Sequence, residues 1–540
     1  MKFTPVAAAI CIHLVSMTGA MAQSGTWRTS VAMQDSPSTG PRFELSRMHW
    51  GAMPAQPAAK TAAVGPLRAA EQGQAEAQNQ LGQMYLHGQG VPQNNQQAAQ
   101  WFHKAAAQGH AEAQNSLGVL YANGQGVAQN FREAARLYAQ AANQNHAVAQ
   151  YNLAHMYLQG QGVPQNFAIA VHWLDKAASQ GHVNAQFELG QHYFNGHGVA
   201  RDPLKAAEWL GKAAEQGHAE AQNQLGQMYA EGLGVKVDPV RAAQWLQRAA
   251  EQGDARAQNS LGRMYADGVG VNRDYSRAAA WFQKAADQWH ADGQNNLGRL
   301  YLYGLGVPQS PVVAAQWFQR AADQNHADAQ YHLATIYAQG RGAPRSMSTA
   351  LQWYTKAAEQ GHAAALNDMG TLYAEGQGVE QDLRTALQWF RRAADKGDAA
   401  AQFNLARMYA AGQGTPADPG TALLWFEKAA AQNHAGAQNR LGVMYADGIG
   451  TRKDAAKAVQ WYTKAAEQGY AASQFNLGLL YAQGVGVPRD YGKAYFWYNL
   501  AATELGGDAA KRRDEVAQQL SLQQVADIQS KALAWQPVVY

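Results

Sequence analysis

Eight histidines recur at one fixed place in a 36-residue period, which makes a metal site the first chemistry to test. They are His110, His146, His182, His218, His290, His326, His362 and His434. The ligands of a zinc ion lie within about 2 Å of it, whereas neighbouring helices are about 8–10 Å apart. Asp254 and Asp398 occupy the same place in two other repeats, and aspartate is a favoured helix N-cap. We therefore predict helix caps and loop-exposed polar residues here, and no metal site.

The sequence contains none of the common catalytic motifs, so we predict a protein that is not an enzyme and uses no cofactor. Its one cysteine, Cys11, lies in an N-terminal apolar stretch. No His-Glu-x-x-His, Gly-x-Ser-x-Gly or Ser-x-x-Lys pattern occurs. His192 and His197 make a weak zinc pair at best. The stretch Gly88-Gln-Gly-Val91 joins two helices and follows no strand, which favours a helix-ending turn over a phosphate-binding loop.

These residues are positioned by a repeat that governs most of the chain. We call residues that share a place in the period a column and number each column by the first repeat. Column 85 is tyrosine in all twelve repeats, at Tyr85, Tyr121, Tyr157, Tyr193, Tyr229, Tyr265, Tyr301, Tyr337, Tyr373, Tyr409, Tyr445 and Tyr481. Columns 88 and 90 are always glycine, column 98 is always alanine, and column 101 is tryptophan in eleven repeats. Such a period predicts a solenoid of stacked helix pairs.

Each repeat reads as two helices joined by a glycine-containing turn. In the first helix, Ala77, Leu81, Met84 and Tyr85 share one stripe, which predicts its buried face. Column 82, mostly glycine, predicts a close approach of a neighbouring helix. The second helix begins at an Asn, Asp or Ser cap and is expected to bury columns 98, 101 and 105. Column 109, which ends it, is Gly or Asn except at Trp289, where we expect strain or a different turn.

The motif Ala77-Gln-Asn-x-Leu-Gly-x-Met-Tyr-x-x-Gly-x-Gly-Val91, followed by Ala98-x-x-Trp-Phe-x-Lys-Ala-Ala106, resembles the Sel-like repeat family of tetratricopeptide-like helical proteins. The resemblance covers residues 66–505 and is specific, because twelve copies agree. It implies an all-α, right-handed superhelical solenoid of about twelve helix-turn-helix repeats. Some small secreted members of the family are linked to β-lactam binding, but they carry a disulfide in each repeat that this chain lacks.

The N-terminal segments are expected to serve export. Lys2, the apolar stretch after it and Ala20-Met-Ala22 predict a signal peptide at 1–22, with a disordered linker at 23–64. We therefore expect an exported protein, either periplasmic or secreted.

The solenoid is predicted over 65–506 and comprises an N-terminal half-repeat and twelve repeats. Residues 507–540 are expected to form capping helices and a tail, with Asp508 and Ser521 as N-caps.

Charge and hydropathy leave a protein as the expected partner. The net charge of +3 is too small to predict nucleic-acid binding, and no membrane-spanning segment remains after signal cleavage. The resemblance implies that columns 76, 79, 83, 86 and 87 of the first helices line a concave face. Two groups on it are candidate contact sites: Tyr151, Leu158, Phe187 and Phe194, and Arg263, Arg299, Tyr303 and Tyr331. The alternative is that the column-79 aromatics pack against the neighbouring repeat.

Three classes of function remain open at this point. The favoured one is a non-catalytic scaffold or adaptor in the bacterial envelope or outside it, with cell-wall or exopolysaccharide machinery as a partner suggested by the resemblance. The second is a secreted factor that acts on host or competitor cells. The third, a cell-wall-related or β-lactam-hydrolysing enzyme, is disfavoured because no catalytic motif is present.

Overall fold

The computed structural model describes residues 64–538, in which helices follow one another through short turns. The predicted signal peptide and all but the last residue of the predicted linker lie outside the described residues. The helices are α1 (Val64–Glu71), α2 (Ala75–His87), α3 (Asn95–Ala107), α4 (Ala111–Asn123), α5 (Phe131–Asn143), α6 (Ala147–Gln159), α7 (Phe167–Ser179), α8 (Val183–Asn195), α9 (Pro203–Glu215), α10 (Ala219–Glu231), α11 (Pro239–Glu251), α12 (Ala255–Asp267), α13 (Tyr275–Asp287), α14 (Ala291–Tyr303), α15 (Pro311–Asp323), α16 (Ala327–Gln339), α17 (Met347–Glu359), α18 (Ala363–Glu375), α19 (Leu383–Asp395), α20 (Ala399–Ala411), α21 (Pro419–Ala431), α22 (Ala435–Asp447), α23 (Ala455–Glu467), α24 (Ala471–Gln483), α25 (Tyr491–Leu505), α26 (Gly507–Ala517) and α27 (Leu522–Ala534). The predicted all-α solenoid of twelve helix pairs is confirmed.

Both helices of a repeat begin and end where the sequence predicts. The first helix of repeat one ends at Gly88, whose φ of 67° lies in the left-handed region that glycine adopts without strain. The Tyr85 carbonyl then accepts a hydrogen bond from the Asn94 amide at 2.8 Å. The Asn94 side chain in turn accepts from the Gln97 amide and caps the second helix. This arrangement ties the end of one helix to the start of the next.

The column after tryptophan, and not tryptophan itself, forms the centre of the core. Phe102 and its equivalents are buried in every repeat, and a Cβ on Gly82 would lie 2.6 Å from the Phe102 ring. The predicted close approach at column 82 is therefore confirmed. The expectation that the tryptophan column is buried is wrong for most repeats, because Trp101 and most of its equivalents are only partly buried, whereas Trp317 and Trp425 are buried. Ala98, Ala99, Ala105 and Ala106 are all buried, and at about 100° per residue column 102 lies at the centre of the stripe that they define, whereas column 101 lies outside it.

The described residues belong to two compact units, which meet in sequence between Gln288 and Trp289. Within each unit, consecutive helices pack against each other along the chain. In the first unit, α1 packs on α2. Among the residues described, no helix combines the length and apolar character that a bilayer crossing requires.

The C-terminal helices are present, but only one of the two predicted caps is found. Ser521 caps α27 in a capping box with Gln524. Asp508 lies inside the first turn of α26, where Gly506 takes the cap position. The Asp508 cap prediction is therefore wrong, because the glycine before it reverses the chain and starts the helix two residues earlier than the side chain suggested.

Candidate interaction surface

The histidine column caps the first helices, as predicted. Nδ1 of His110 accepts a hydrogen bond from the Ala113 amide at 3.2 Å, and its Nε2 lies 3.0 Å from the carboxylate of Glu76, one repeat earlier. His146 makes the same pair of contacts with Ala149 and Glu112. One imidazole therefore caps a helix and also connects two repeats, and His326 and His362 make the same contact with Asp292 and Asp328.

Two glutamine columns connect the repeats in a way that the sequence analysis missed. The buried Gln114 donates to the Ala106 carbonyl at 3.2 Å and accepts from Gln144 at 2.8 Å. The same bonds recur along both units, for example at Gln258, which donates to Ala250 and accepts from Gln288. The regular spacing of these glutamines was visible, but periodicity alone does not separate a buried amide from a solvated one.

Repeat nine shows that these contacts act as a set. Leu366 replaces the buried glutamine, so the Ala358 carbonyl keeps the Gly361 backbone amide at 2.9 Å but lacks the side-chain donor. The guanidinium of Arg392 reaches that carbonyl instead, at 3.4 Å. The partner glutamine column changes in the same repeat, to Lys396. The lost side-chain donor is thus replaced by an arginine from another helix.

Three of the predicted contact residues are buried between repeats. Tyr151, Phe187 and Phe194 are 7%, 8% and 6% exposed. Tyr151 and Phe187 stack on the capping histidines His182 and His218, with ring centroids 4.6 and 4.3 Å apart. The expectation that these aromatics form an open apolar cluster is therefore wrong, and the alternative, packing against the neighbouring repeat, is found.

The reason lies in contacts between successive first helices. Asn152 donates to Asn115 at 3.0 Å across that interface, and the Tyr151 hydroxyl donates to Glu188 at 2.7 Å. A first helix therefore has neighbours on the side opposite its stripe, which a wheel drawn for a helix pair does not show. Leu158 is partly buried. Whether any of these residues contacts a partner stays a prediction.

Tyr331 occupies the same environment in the second unit. Its ring stacks on His362 at 4.6 Å and its hydroxyl donates to Asp368 at 3.2 Å. Burial raises the pKa of Asp368 to about 6. Burial also lowers the pKa of the neighbouring His332 to about 3, with the positive charge of Arg299 adding to the effect. The Tyr–carboxylate–His arrangement of the first unit is thus repeated 180 residues later.

Column 87 is where the first helices stay open, while column 83, one turn before it, is partly buried in most repeats. Arg263 and Arg299 are partly buried members of column 83, one in each unit. Tyr303 is the single aromatic residue of column 87 and is 38% exposed. Because Arg299 and Tyr303 are four residues apart on α14, they lie side by side on one face of the helix. The structure thus brings together these two predicted site residues, while Tyr331 lies in the packed interface.

The second helices carry a row of tryptophans covered by cations. In ten repeats a Lys or Arg three residues after the tryptophan lies 3.7 to 4.6 Å from the ring centroid, as Lys284 does over Trp281. Such pairs are cation–π contacts that shield the indole from water. Within the part of the chain that the structure describes, no group of three His, Cys, Asp or Glu side chains is arranged to hold a metal ion.

Comparison with known proteins identifies the repeat. The family model described as the Sel1 repeat matches twelve successive segments, at residues 75–110, 111–146, 147–182, 183–218, 219–254, 255–288, 291–326, 327–362, 363–398, 399–434, 435–470 and 471–504. A solved structure, of a protective antigen present in uropathogenic Escherichia coli strains and displaying an SLR fold, is 36% identical over 81% of this chain and 95% of its own, with a TM-score of 0.65. A Sel1 repeat protein from Oxalobacter formigenes is 34% identical over 57% of this chain and 89% of its own, with a TM-score of 0.48. The comparison with curated proteins finds no match.

Proposed function

Because this chain belongs to the Sel1 repeat family, we propose that it is a non-catalytic scaffold that binds a protein partner along its first helices. The fold itself is a helical repeat scaffold, an architecture that presents an extended binding surface. The proposal therefore concerns which surface of the scaffold binds a partner and what that partner is.

One observation carries the proposal: the open columns of the first helices vary in chemistry above a constant interior. Column 87 holds exposed side chains as different as His87, Asn123, Asp267 and Tyr303. Column 83, one turn earlier, changes from glutamine to arginine to threonine along the chain. Neighbouring interior columns stay Leu, Ala, Gly and Tyr because packing fixes them. Packing does not explain the variation in columns 83 and 87. A binding surface that contacts its partner at several chemically different points requires such variation.

The test pairs a capture experiment with one surface variant. Residues 23–540 serve as bait, and the captured protein is identified by mass spectrometry after cross-linking. The double variant Arg299→Ala/Tyr303→Ala is expected to lower the affinity of that protein at least about tenfold, since Arg and Tyr are enriched among hot spots. Because Tyr303 is exposed and Arg299 is only partly buried, melting followed by circular dichroism should change little.

Arg341→Ala is the matched control, because it removes the same charge from an exposed loop after α16. Equal loss in the control and the double variant would indicate a general charge effect. Unchanged affinity of the double variant would place the contact on other helices.

We propose further that the protein is exported, to the periplasm or outside the cell. The apolar N-terminal stretch supports this, and a relative described as a protective antigen is 36% identical. That description also favours a second candidate, a secreted factor that acts on host cells. An N-terminus at Gln23 on protein recovered from the periplasm or the medium would support export, and an uncleaved chain in the cytoplasm would contradict it. A captured enzyme of cell-wall or exopolysaccharide synthesis would favour the adaptor, and a captured host protein would favour the secreted factor.

A further inference from the structure

The last described residues of the chain fold back onto repeat eleven. After α27 ends at Ala534, residues 535–538 continue without helical structure. The Val538 amide donates a hydrogen bond to the Glu467 carbonyl, at the end of α23, at 2.8 Å. A helix leaves its last carbonyls without partners of its own, and here the returning chain supplies one. We call residues 535–538 the tail segment.

The tail segment covers the turn between α23 and α24. A Cβ placed on Gly469, in that turn, would lie 3.5 Å from the Pro537 ring and 4.0 Å from the Trp535 indole. The same position faces open space in several other repeats, at Gly181, Gly217 and Gly397. This turn is therefore a surface feature of the repeat that a second piece of chain occupies in repeat eleven.

Two columns change their residue where the tail segment lies. Column 110 is histidine or aspartate in the first ten repeats but is Tyr470 in repeat eleven, and this tyrosine makes no side-chain cap. Column 104 supplies the cation over the tryptophan in ten repeats but is Leu500 in repeat twelve. The Trp535 ring instead lies edge-to-face against Trp497, with ring centroids 6.5 Å apart. A residue of the tail segment thus covers the tryptophan of the last repeat.

The tail segment is held by few contacts. Gln536, Pro537 and Val538 are exposed, and Trp535 is only partly buried. One backbone hydrogen bond, one ring contact and the packing on Gly469 hold it in place. Contacts of these kinds are individually weak in water, so the segment can be displaced while α27 stays folded.

Closure of the end of the array does not explain where the tail segment lies. Both α26 and α27 pack on α25, and they bury Ala509, Val516 and Ala532. Gln529 of α27 also donates to the Tyr495 hydroxyl of α25 at 2.8 Å. These two helices cover the last repeat, whereas the tail segment passes beyond them to repeat eleven.

We propose that the turn after α23, together with Trp497, is a docking site for an extended segment of a partner protein, and that the tail segment occupies this site until the partner displaces it. The tail segment shows the chemistry that fits the site. It places an aromatic ring against Trp497, a proline two residues later on Gly469, and the next backbone amide on the Glu467 carbonyl.

A partner segment of the same pattern, aromatic-x-Pro followed by an apolar residue, would make the same contacts. Proline favours an extended conformation, so such a segment loses little entropy when it binds. The tail segment competes with it at an effective concentration in the millimolar range, because it is tethered to the same chain. It is therefore an autoinhibitory contact. The site lies at helix ends and does not depend on the first-helix surface proposed above.

The test uses a synthetic peptide of residues 533–540, with 5-fluorotryptophan as its tryptophan, and follows the peptide by fluorine NMR. In the full chain, Trp535→Ala/Val538→Pro disables the tail segment, because it removes the indole and the amide that hold it. The peptide should bind this open variant, and it should bind the unaltered chain at least about tenfold more weakly because the tail segment competes. Gln536→Ala is the matched control, since it changes an exposed side chain of the tail segment and should bind the peptide as weakly as the unaltered chain does.

Further changes locate the peptide on the open variant. Adding Trp497→Ala should weaken peptide binding at least about tenfold, since hot-spot aromatics carry much of the affinity of such contacts. Adding Trp353→Ala makes the same truncation in repeat eight, beneath Lys356, and should leave peptide binding unchanged. A peptide with alanine in place of Pro537 should bind more weakly than the parent peptide.

No peptide binding to the open variant, equal binding to the open and unaltered chains, or equal losses in the two tryptophan variants would each overturn the proposal. An open variant that fails to fold, as followed by circular dichroism, would make the tail segment part of the structural cap and would also overturn it. If light scattering showed a dimer of the unaltered chain that the open variant loses, the site would belong to a second copy of the chain and not to a partner.

Discussion

Trp289 shows how a single residue departs from the rule of its column. Its φ of 62° is left-handed and its side chain is 69% exposed. Asn145, Asn325 and Asn433 take the same conformation, which their short polar side chains tolerate. The indole of Trp289 is neither short nor able to form the local hydrogen bonds of asparagine. The predicted strain is therefore present, whereas the predicted different turn is not found.

Replacing Trp289 by glycine should therefore stabilise the second unit by about 1 kcal/mol, because it relieves left-handed strain and removes little packing. Urea unfolding measures the difference. Asn325→Gly, at the equivalent place, should change stability by less. A less stable Trp289→Gly protein would show that the indole makes a stabilising contact.

Asp368 makes the second unit sensitive to pH. Its pKa is about 6 in the folded chain against 3.8 for an ordinary aspartate, because burial disfavours the charged form. The folded state then holds the proton more tightly than the unfolded chain. The contribution of Asp368 to stability is therefore full below pH 3.8 and is lost as the pH rises through about 6.

Asp368→Asn should remove this fall, and near neutral pH it should stabilise the unit by about 2 kcal/mol. Asp328→Asn is the control, and its effect on stability should have the opposite sign. A hydrogen bond from His362 lowers the pKa of Asp328 to about 2, so this carboxylate stabilises above its ordinary pKa and its removal should destabilise. Melting temperatures of the three proteins between pH 4 and 7 give the measurement. A parallel pH dependence for Asp368→Asn and the unaltered chain would refute the assignment.

At the scale of the helices, polar contacts between repeats decide how one pair docks on the next. The last carbonyls of a second helix have no partner within that helix. Gln258 supplies one to Ala250, and Arg392 supplies one to Ala358 where Leu366 cannot. Ala250 and Ala358 are equivalent residues of two repeats. Glutamine from a first helix and arginine from a second helix can therefore serve as alternative donors to this carbonyl.

Gln258→Leu should cost about 0.5–1.5 kcal/mol, since the Ala250 carbonyl loses its side-chain donor but keeps the Gly253 amide at 3.1 Å. Adding Lys284→Arg places a guanidinium where repeat nine has Arg392, and should recover part of that loss. A double-mutant cycle by chemical denaturation measures the coupling between the two positions. Simple additivity of the two changes would mean that arginine does not reach the Ala250 carbonyl.

At the scale of the molecule, a repeat array distributes stability over local interfaces. Phe282 is buried between α12 and α13, whereas its neighbour Trp281 is only partly buried beneath Lys284. We expect Phe282→Ala to cost about 3–5 kcal/mol. Trp281→Ala should cost about 1–2 kcal/mol, because most of its loss is one partly exposed ring and its cation–π contact.

The damage should be local. Hydrogen exchange in Phe282→Ala should rise first in α12, α13 and the adjoining repeat five, before it rises in α1 or α27. Uniform acceleration along the first unit would mean that its repeats unfold as one block. Equal losses of stability in Phe282→Ala and Trp281→Ala would mean that the tryptophan contributes as much to the core as the phenylalanine.

The sequence by itself determined the period, the helix pairs, the caps and the turns. These follow from local rules: the left-handed residue at Gly88, the side-chain cap at Asn94 and the histidine caps are each decided within a few residues of the chain. Twelve aligned copies make such local signals unambiguous, and they also established the family resemblance. The all-α solenoid and its repeat boundaries were therefore predictable.

Only the tertiary structure decided which faces remain open. Tyr151 and Phe187 point away from the stripe of their own helices, yet the next first helix covers them. Periodicity reports the geometry of one helix, whereas burial depends on every neighbour that the helix acquires. In a stacked array each first helix acquires neighbours on both sides, and this is why the aromatic residues of columns 79 and 86 leave the candidate surface while columns 83 and 87 stay in it.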